Sequence, residues 1–232
     1  MRFYALHAGV PLLLAALLLI IFEPTALDVR LQNPFYDPIT RAFPLEENWF
    51  LETIVHDAGK LPVILTGVAL LSAFAVSFRR VELEPWRRRL LMGALCIALG
   101  PLAVAGLKAN SAIHCPRQLQ IYGGRHPYVR LFDAVPHGAK RGHCWPGGHS
   151  SGGFALMGLY FVFRGRKPRL AKLCLAIGII YGLALGFGRG IQGAHFASHT
   201  LWAGLFCWAV ALALFEVLVR GHEARARSAN AT

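Results

Sequence analysis

Four side chains able to carry a proton or a positive charge, Lys108, His149, Arg189 and His195, stand beside glycine-rich turns or at the ends of apolar runs. The densest signal is the stretch Cys144-Trp145-Pro146-Gly147-Gly148-His149-Ser150-Ser151-Gly152-Gly153, followed by an apolar run from Phe154 to Phe163. A proline and two glycines predict a tight turn, and the run after it predicts a helix whose first turn carries His149. The unpaired N–H groups of that turn and the positive end of the helix dipole suit an anion such as phosphate. Cleaving a phosphate ester without a metal needs cations on the nonbridging oxygens, a nucleophile in line, and an acid for the departing oxygen. Lys108 and Arg189 offer the charge, and His149 and His195 offer the nitrogen chemistry.

The elements that must position these groups are membrane spans. The 232-residue chain is 55% hydrophobic with a mean hydropathy of +0.47. Six apolar runs approach the ~20 residues that a hydrocarbon core demands: 4–22, 61–78, 90–107, 149–163, 170–188 and 200–219. The expectation is a single all-α domain of six transmembrane helices, with outer loops at 23–60, 108–148 and 189–199. The fourth run is short, which puts its first turn at the membrane surface. The first run follows Arg2 as a signal peptide would, but Phe22-Glu23-Pro24 closes it without a cleavage site, so it is read as a span.

A formal charge of +12 would suggest nucleic acid in a soluble protein. Here the charge is distributed by topology. Arg79, Arg80, Arg87, Arg88 and Arg89 separate spans two and three, and Arg164, Arg166, Lys167, Arg169 and Lys172 separate spans four and five. With Arg2, Arg220, Arg225 and Arg227 they mark a cytoplasmic side that holds both termini, and they suit anionic lipid headgroups better than nucleic acid.

The outer segments differ in kind. Residues 23–60 carry Glu23, Asp28, Asp37, Glu46, Glu47, Glu52 and Asp57 with interleaved aromatics, and read as a loop and a short interfacial helix from about Leu45 to Asp57, a lid or brace. Residues 108–148 hold Lys108, Arg117, Arg125, Arg130, Lys140 and Arg141 against the single acid Asp133, with His114, His126, His137 and His143. Positive charge on the side the topology rule disfavours points to an anionic ligand there. Cys96, Cys174 and Cys207 fall in spans, whereas Cys115 and Cys144 share the second outer segment. A disulfide between them suits an oxidising compartment, but spacing leaves the pairing open.

These motifs resemble those of the type 2 phosphatidic acid phosphatase (PAP2) superfamily, integral membrane lipid phosphatases that share their site with vanadium haloperoxidases and bacterial acid phosphatases. The family pattern is Lys, six residues, Arg-Pro; then Pro-Ser-Gly-His; then Ser-Arg, five residues, His, three residues, Asp. Lys108, Pro146-Gly147-Gly148-His149 and Arg189 with His195 match it between Lys108 and His199. Cys115-Pro116 stands where Arg-Pro is expected, so Arg117 is the substitute and Arg125 the second choice. Gly147 and Gly188 replace serines, leaving backbone amides and Ser150 to compensate. His199 takes the place of the aspartate that orients the nucleophile, with Asp133 as a second choice for that acid.

The resemblance implies a helical core like that of the haloperoxidases and a two-step reaction. His195 attacks phosphorus, protonated His149 donates to the lipid oxygen, and water hydrolyses the phosphohistidine. Lys108, Arg117, Arg189 and the residues Gly147, Gly148 and Ser150 would hold the phosphate, and His199 would steady His195. No metal or other cofactor is implied. The substrate would be a membrane lipid at the outer face of a bacterial-type inner membrane: phosphatidate, phosphatidylglycerol phosphate, a polyprenyl diphosphate or lipid A. Three alternatives stand beside hydrolysis. They are transfer of the phosphoryl group to another lipid, a His-rich metal-dependent enzyme for which the nearby outer segments offer only Asp133 as a carboxylate, and a lipid-phosphate binder without catalysis.

Overall fold

The structure, a computed structural model, describes residues 2–135, 138 and 140–222. His137, Arg225 and Arg227 lie outside the described residues. The chain is all-α, with no strand among the described residues. Its main helices are α1 (Arg2–Phe22), α2 (Leu27–Gln32), α3 (Phe50–Val76), α4 (Arg87–Ala109), α5 (Gly148–Ala155), α6 (Gly158–Phe163), α7 (Pro168–Ile191) and α8 (Ala197–Phe215).

Five helices among the described residues are long and apolar enough to cross a membrane: α1, α3, α4 with the turn before it, α7, and α8 extended to Arg220. Their outward faces are aliphatic, with Leu12, Ile20, Leu65 and Ile180 each more than 60% exposed, as lipid-facing positions are. The fourth expected span, 149–163, is different. It runs as α5 and α6, tightened at Leu156 and Met157 by bonds from Leu156 N to Gly153 O and from Met157 N to Phe154 O. At ~1.5 Å per residue such a run falls short of a ~30 Å hydrocarbon core. It is also buried among α4, α7 and α8.

Small residues set that packing. A Cβ on Gly153 would lie 2.7 Å from Gly182 of α7, and one on Gly186 would lie 2.2 Å from the Thr200 side chain of α8. The three backbones therefore approach as closely as glycine allows. Below them Met92, Cys96, Phe161, Val162, Ala211 and Phe215 form the main core.

At one end of the bundle the arginines meet fixed partners. Buried Arg89 donates to the carbonyls of Phe161 (3.0 Å), Val162 (3.3 Å) and Arg164 (2.9 Å), which α6 leaves unpaired where it stops. At the other end two outer segments fold together as a cap. Phe43, Leu119, Tyr122 and Phe196 form its core, and Tyr122 Oη donates to Val29 O (3.2 Å) and Asn33 Oδ1 (3.0 Å). Residues 111–113 pair with 142–144 through Gly142 N to Ala112 O, His143 N to Ser111 O and Cys144 N to Ile113 O. That pairing brings Cys115 and Cys144 together, and they form a disulfide. The helix expected over Leu45–Asp57 begins at Phe50, in a π-helical turn that continues through Lys60 into the span.

Candidate active site

The site is assembled from four helix ends at the capped end of the bundle. Lys108 lies in the last turn of α4, and a Cβ on Gly148 would sit 3.6 Å from its Nζ. The ammonium thus stands over the first residue of α5, where its charge and the N–H groups of that turn add. Among the described residues Lys108 has no hydrogen-bond or ion-pair partner. Gly147 N donates to His199 O at 2.8 Å, which ties the turn before α5 to the start of α8.

His195 sits in the short loop between α7 and α8. Ala194 N donates to Arg189 O (2.9 Å) and Gly193 N to Gly190 O (2.9 Å), closing that loop tightly. The His195 ring is buried, and its Nδ1 lies 3.4 Å from Cys144 Sγ. Burial first, then the neighbouring His199, Lys108 and Arg189, holds His195 well below the usual histidine range. It is therefore a neutral imidazole at neutral pH, the form in which a ring nitrogen is nucleophilic.

His199 does not take the part expected of it. The rings of His195 and His199 lie 5.8 Å apart, edge to face, with no hydrogen bond between them among the described residues. Among the described residues the buried Nδ1 of His199 makes no hydrogen bond, and Nδ1 of His195 faces the disulfide sulfur instead.

His149 lies in the first turn of α5. Its Nε2 donates to Val55 O at 3.3 Å, and its ring lies against that of His56, tilted by 37°, with centroids 4.4 Å apart. The arginines meet carboxylates. Arg189 Nη1 donates to Glu52 Oε2 (3.1 Å) and Gln192 Oε1 (2.9 Å), and Arg117 Nη1 donates to Glu46 Oε1 (3.1 Å). Gln192 Nε2 donates to the same Glu52 oxygen and to Glu46 O, each at 3.1 Å. The site thus has carboxylates beyond Asp133, all from the first outer segment.

The remaining expected ligands are occupied elsewhere or open to water. Ser150 Oγ donates to Gly147 O at 3.0 Å, so its hydroxyl is used inside the turn. Arg125 is exposed. Asp133 accepts from Arg130 N at 2.9 Å within an exposed surface turn. The two glycines that replace family serines both lie where another part packs closely. A Cβ on Gly147 would meet Ser150 Oγ at 3.0 Å and His199 O at 3.2 Å, and one on Gly188 would meet Val55 Cγ1 at 3.0 Å. Cys115, Cys144 and His195 have the compactness of a metal site. The two sulfurs are bonded to each other and offer no thiolate.

Glu46, Glu52, His56 and Gln192 are the members that sequence reasoning missed. The signal that could have found them is the opposite charge of the two outer segments, acid-rich 23–60 and base-rich 108–148.

Fold and site together define an all-α, membrane-type protein with a cluster of cationic and histidine side chains where its helices end. The chain belongs to the PAP2 superfamily, whose family model matches residues 89–222, well over half of its length. Membership places it among phosphatase-type membrane enzymes. A search of curated proteins and a search of solved structures each gave no match.

Proposed function

We propose that the chain is a lipid phosphatase that cleaves the phosphate or diphosphate of a membrane lipid through a phosphohistidine. The observation that carries this reading is the meeting of Lys108, His149, Arg189 and buried, neutral His195 at one end of the bundle. Since Nδ1 of His195 faces Cys144, Nε2 is the nitrogen available to attack phosphorus. The P–O bond to the lipid breaks as the P–N bond forms, and the departing oxygen takes its proton from the imidazolium form of His149, which burial disfavours, holding its pKa down to about 4, and which the negative charge of a bound phosphate favours. Water then attacks the phosphohistidine, gives its proton to His149, and releases inorganic phosphate with His195 neutral again. Lys108, Arg189 and the N–H groups of residues 148–150 stabilise charge on the equatorial oxygens, with Arg117 at the rim.

The arginine-rich end, where α1 begins at Arg2 and the last helix reaches Arg220, faces the cytoplasm by the positive-inside rule and lies against anionic headgroups. The substrate therefore reaches the site from the outer leaflet.

The test incubates purified protein with phosphatidate, phosphatidylglycerol phosphate, a polyprenyl diphosphate and lipid A, following both free phosphate and newly phosphorylated lipid. Free phosphate that persists with a chelator present and is lost in His195→Ala supports hydrolysis. Phosphorylated lipid without free phosphate would make the enzyme a transferase. No turnover of any of them contradicts the reading.

A further inference from the structure

The carboxylate on Arg189 belongs to Glu52, and its geometry is that of an anionic ligand. One oxygen, Oε2, receives two donors, Arg189 Nη1 and Gln192 Nε2, each at 3.1 Å, as a nonbridging phosphate oxygen would. Glu46 meets Arg117 from the same segment, and Val55 meets both His149 and the backbone at Gly188. The two sides of the pair differ in freedom. The Arg189 side chain is 14% exposed and that of Glu52 is 51% exposed, so the carboxylate can swing into water while the guanidinium stays.

A bilayer presents such a site with a vast excess of phosphodiester headgroups. A diester carries one negative charge, the same as the carboxylate, so replacing Glu52 gains no charge and loses the segment's contacts. A monoester carries up to two, its second ionisation lying near pH ~6. Its extra charge falls beside Lys108 and Arg189 and makes the exchange favourable.

We propose that Glu52 is a specificity-determining residue: it occupies the phosphate subsite on Arg189 and Gln192, yields to a dianionic phosphate monoester, and excludes monoanionic phosphodiester lipids. The proposal rests on the lipid phosphatase reading above. Its test compares wild type, Glu52→Gln and Glu52→Asp, using hydrolysis of a short-chain phosphatidate with dioleoyl phosphatidylglycerol as the diester competitor. Glu52→Gln, nearly isosteric and half-exposed, should let the diester inhibit at a concentration roughly five- to tenfold lower than in wild type, the size of one partly screened charge contact. KM for the monoester should fall and kcat stay within about twofold. Glu52→Asp should keep the exclusion.

An unchanged diester inhibition constant, or a raised KM with a lowered kcat, overturns the proposal, since the second result makes Glu52 a support for Arg189 instead. A separate readout does not depend on turnover: inorganic phosphate should raise the thermal unfolding midpoint of Glu52→Gln more than that of wild type, and equal shifts count against it. If wild type hydrolyses no lipid phosphate yet the phosphate shifts differ as stated, the function reading fails and the role of Glu52 in anion selection stands.

Discussion

The two ends of the bundle use the same cationic residue types with opposite kinds of partner. At the end holding Arg87, Arg89, Arg164 and Arg220, the guanidinium groups meet backbone carbonyls, hydroxyls and aromatic faces, and the carboxylate on Arg220, that of Glu216, comes from one turn earlier in the same helix. Arg87 donates to Ser77 O (2.7 Å) and lies 4.3 Å from the Phe78 ring centroid, and Arg89 caps three carbonyls around the end of α6. Those partners are parts of packed helices and cannot leave. At the other end Lys108 has no partner among the described residues, and Arg117 and Arg189 meet carboxylates on one half-exposed segment. Charge whose partner can depart is charge available to a ligand, so one end holds the bundle together and the other is open to exchange.

Removing Arg189 probes that contrast most strongly. Arg189→Ala should lower kcat/KM by about 10²–10³, the usual loss when a donor to transition-state charge is removed. It should cost only about 1–3 kcal/mol of stability, because Glu52 is left facing water and the buried group left without its donor is Gln192 Oε1. A large stability loss with kcat/KM intact would put Arg189 in the same class as Arg89.

The disulfide separates the ends in a second way, since it staples only the cap. Cys144→Ser should destabilise the protein by about 3 kcal/mol, as removal of a bridge across 29 residues does. Thermal unfolding should show it, and reductant should produce the same shift in wild type and none in the variant. Insensitivity of wild type to reductant would contradict the bridge.

Asp28 ties the first outer segment to α8 by accepting from Ser198 N (3.0 Å) and Ser198 Oγ. Burial pushes its carboxyl up to about 6, against the lowering effect of those two bonds. The folded protein therefore holds this proton more tightly than the unfolded chain. The stability it contributes is fully present below pH ~4 and is lost as pH rises through about 6. Asp28→Asn should lack that fall, so the gap between variant and wild-type midpoints should change with pH across this window. A constant gap would contradict the shift.

The smallest effect belongs to the fixed end. Arg166 lies over the Trp86 ring, 5.2 Å from its centroid, and Arg166→Ala should leave kcat/KM within about twofold. A larger loss would mean that the two ends are coupled.

Much of this contrast can be read from the sequence. Long apolar runs locate α1, α3, α4, α7 and α8, and the Pro146 to His149 turn does open a helix, because these are local signals of length, glycine and proline. The pairing of Cys115 with Cys144 was an open possibility that the ladder between residues 111–113 and 142–144 resolves. What could not be read depends on how distant segments fold over one another. Helix α5 is short and internal because Gly153 and Gly182 let α7 press against it. Ser150 spends its hydroxyl on Gly147, and His199 Nδ1 makes no hydrogen bond among the described residues. Glu46 and Glu52 reach the arginines from a segment whose sequence shows only that it is acidic.

The central claim is that His195 carries the phosphoryl group between lipid and water. Wild type mixed with a 32P-labelled lipid phosphate and quenched in base should yield protein-bound label, acid-labile and base-stable, on the peptide containing His195, with none in His195→Ala. Label on another residue, or hydrolysis at the wild-type rate by His195→Ala, would contradict it.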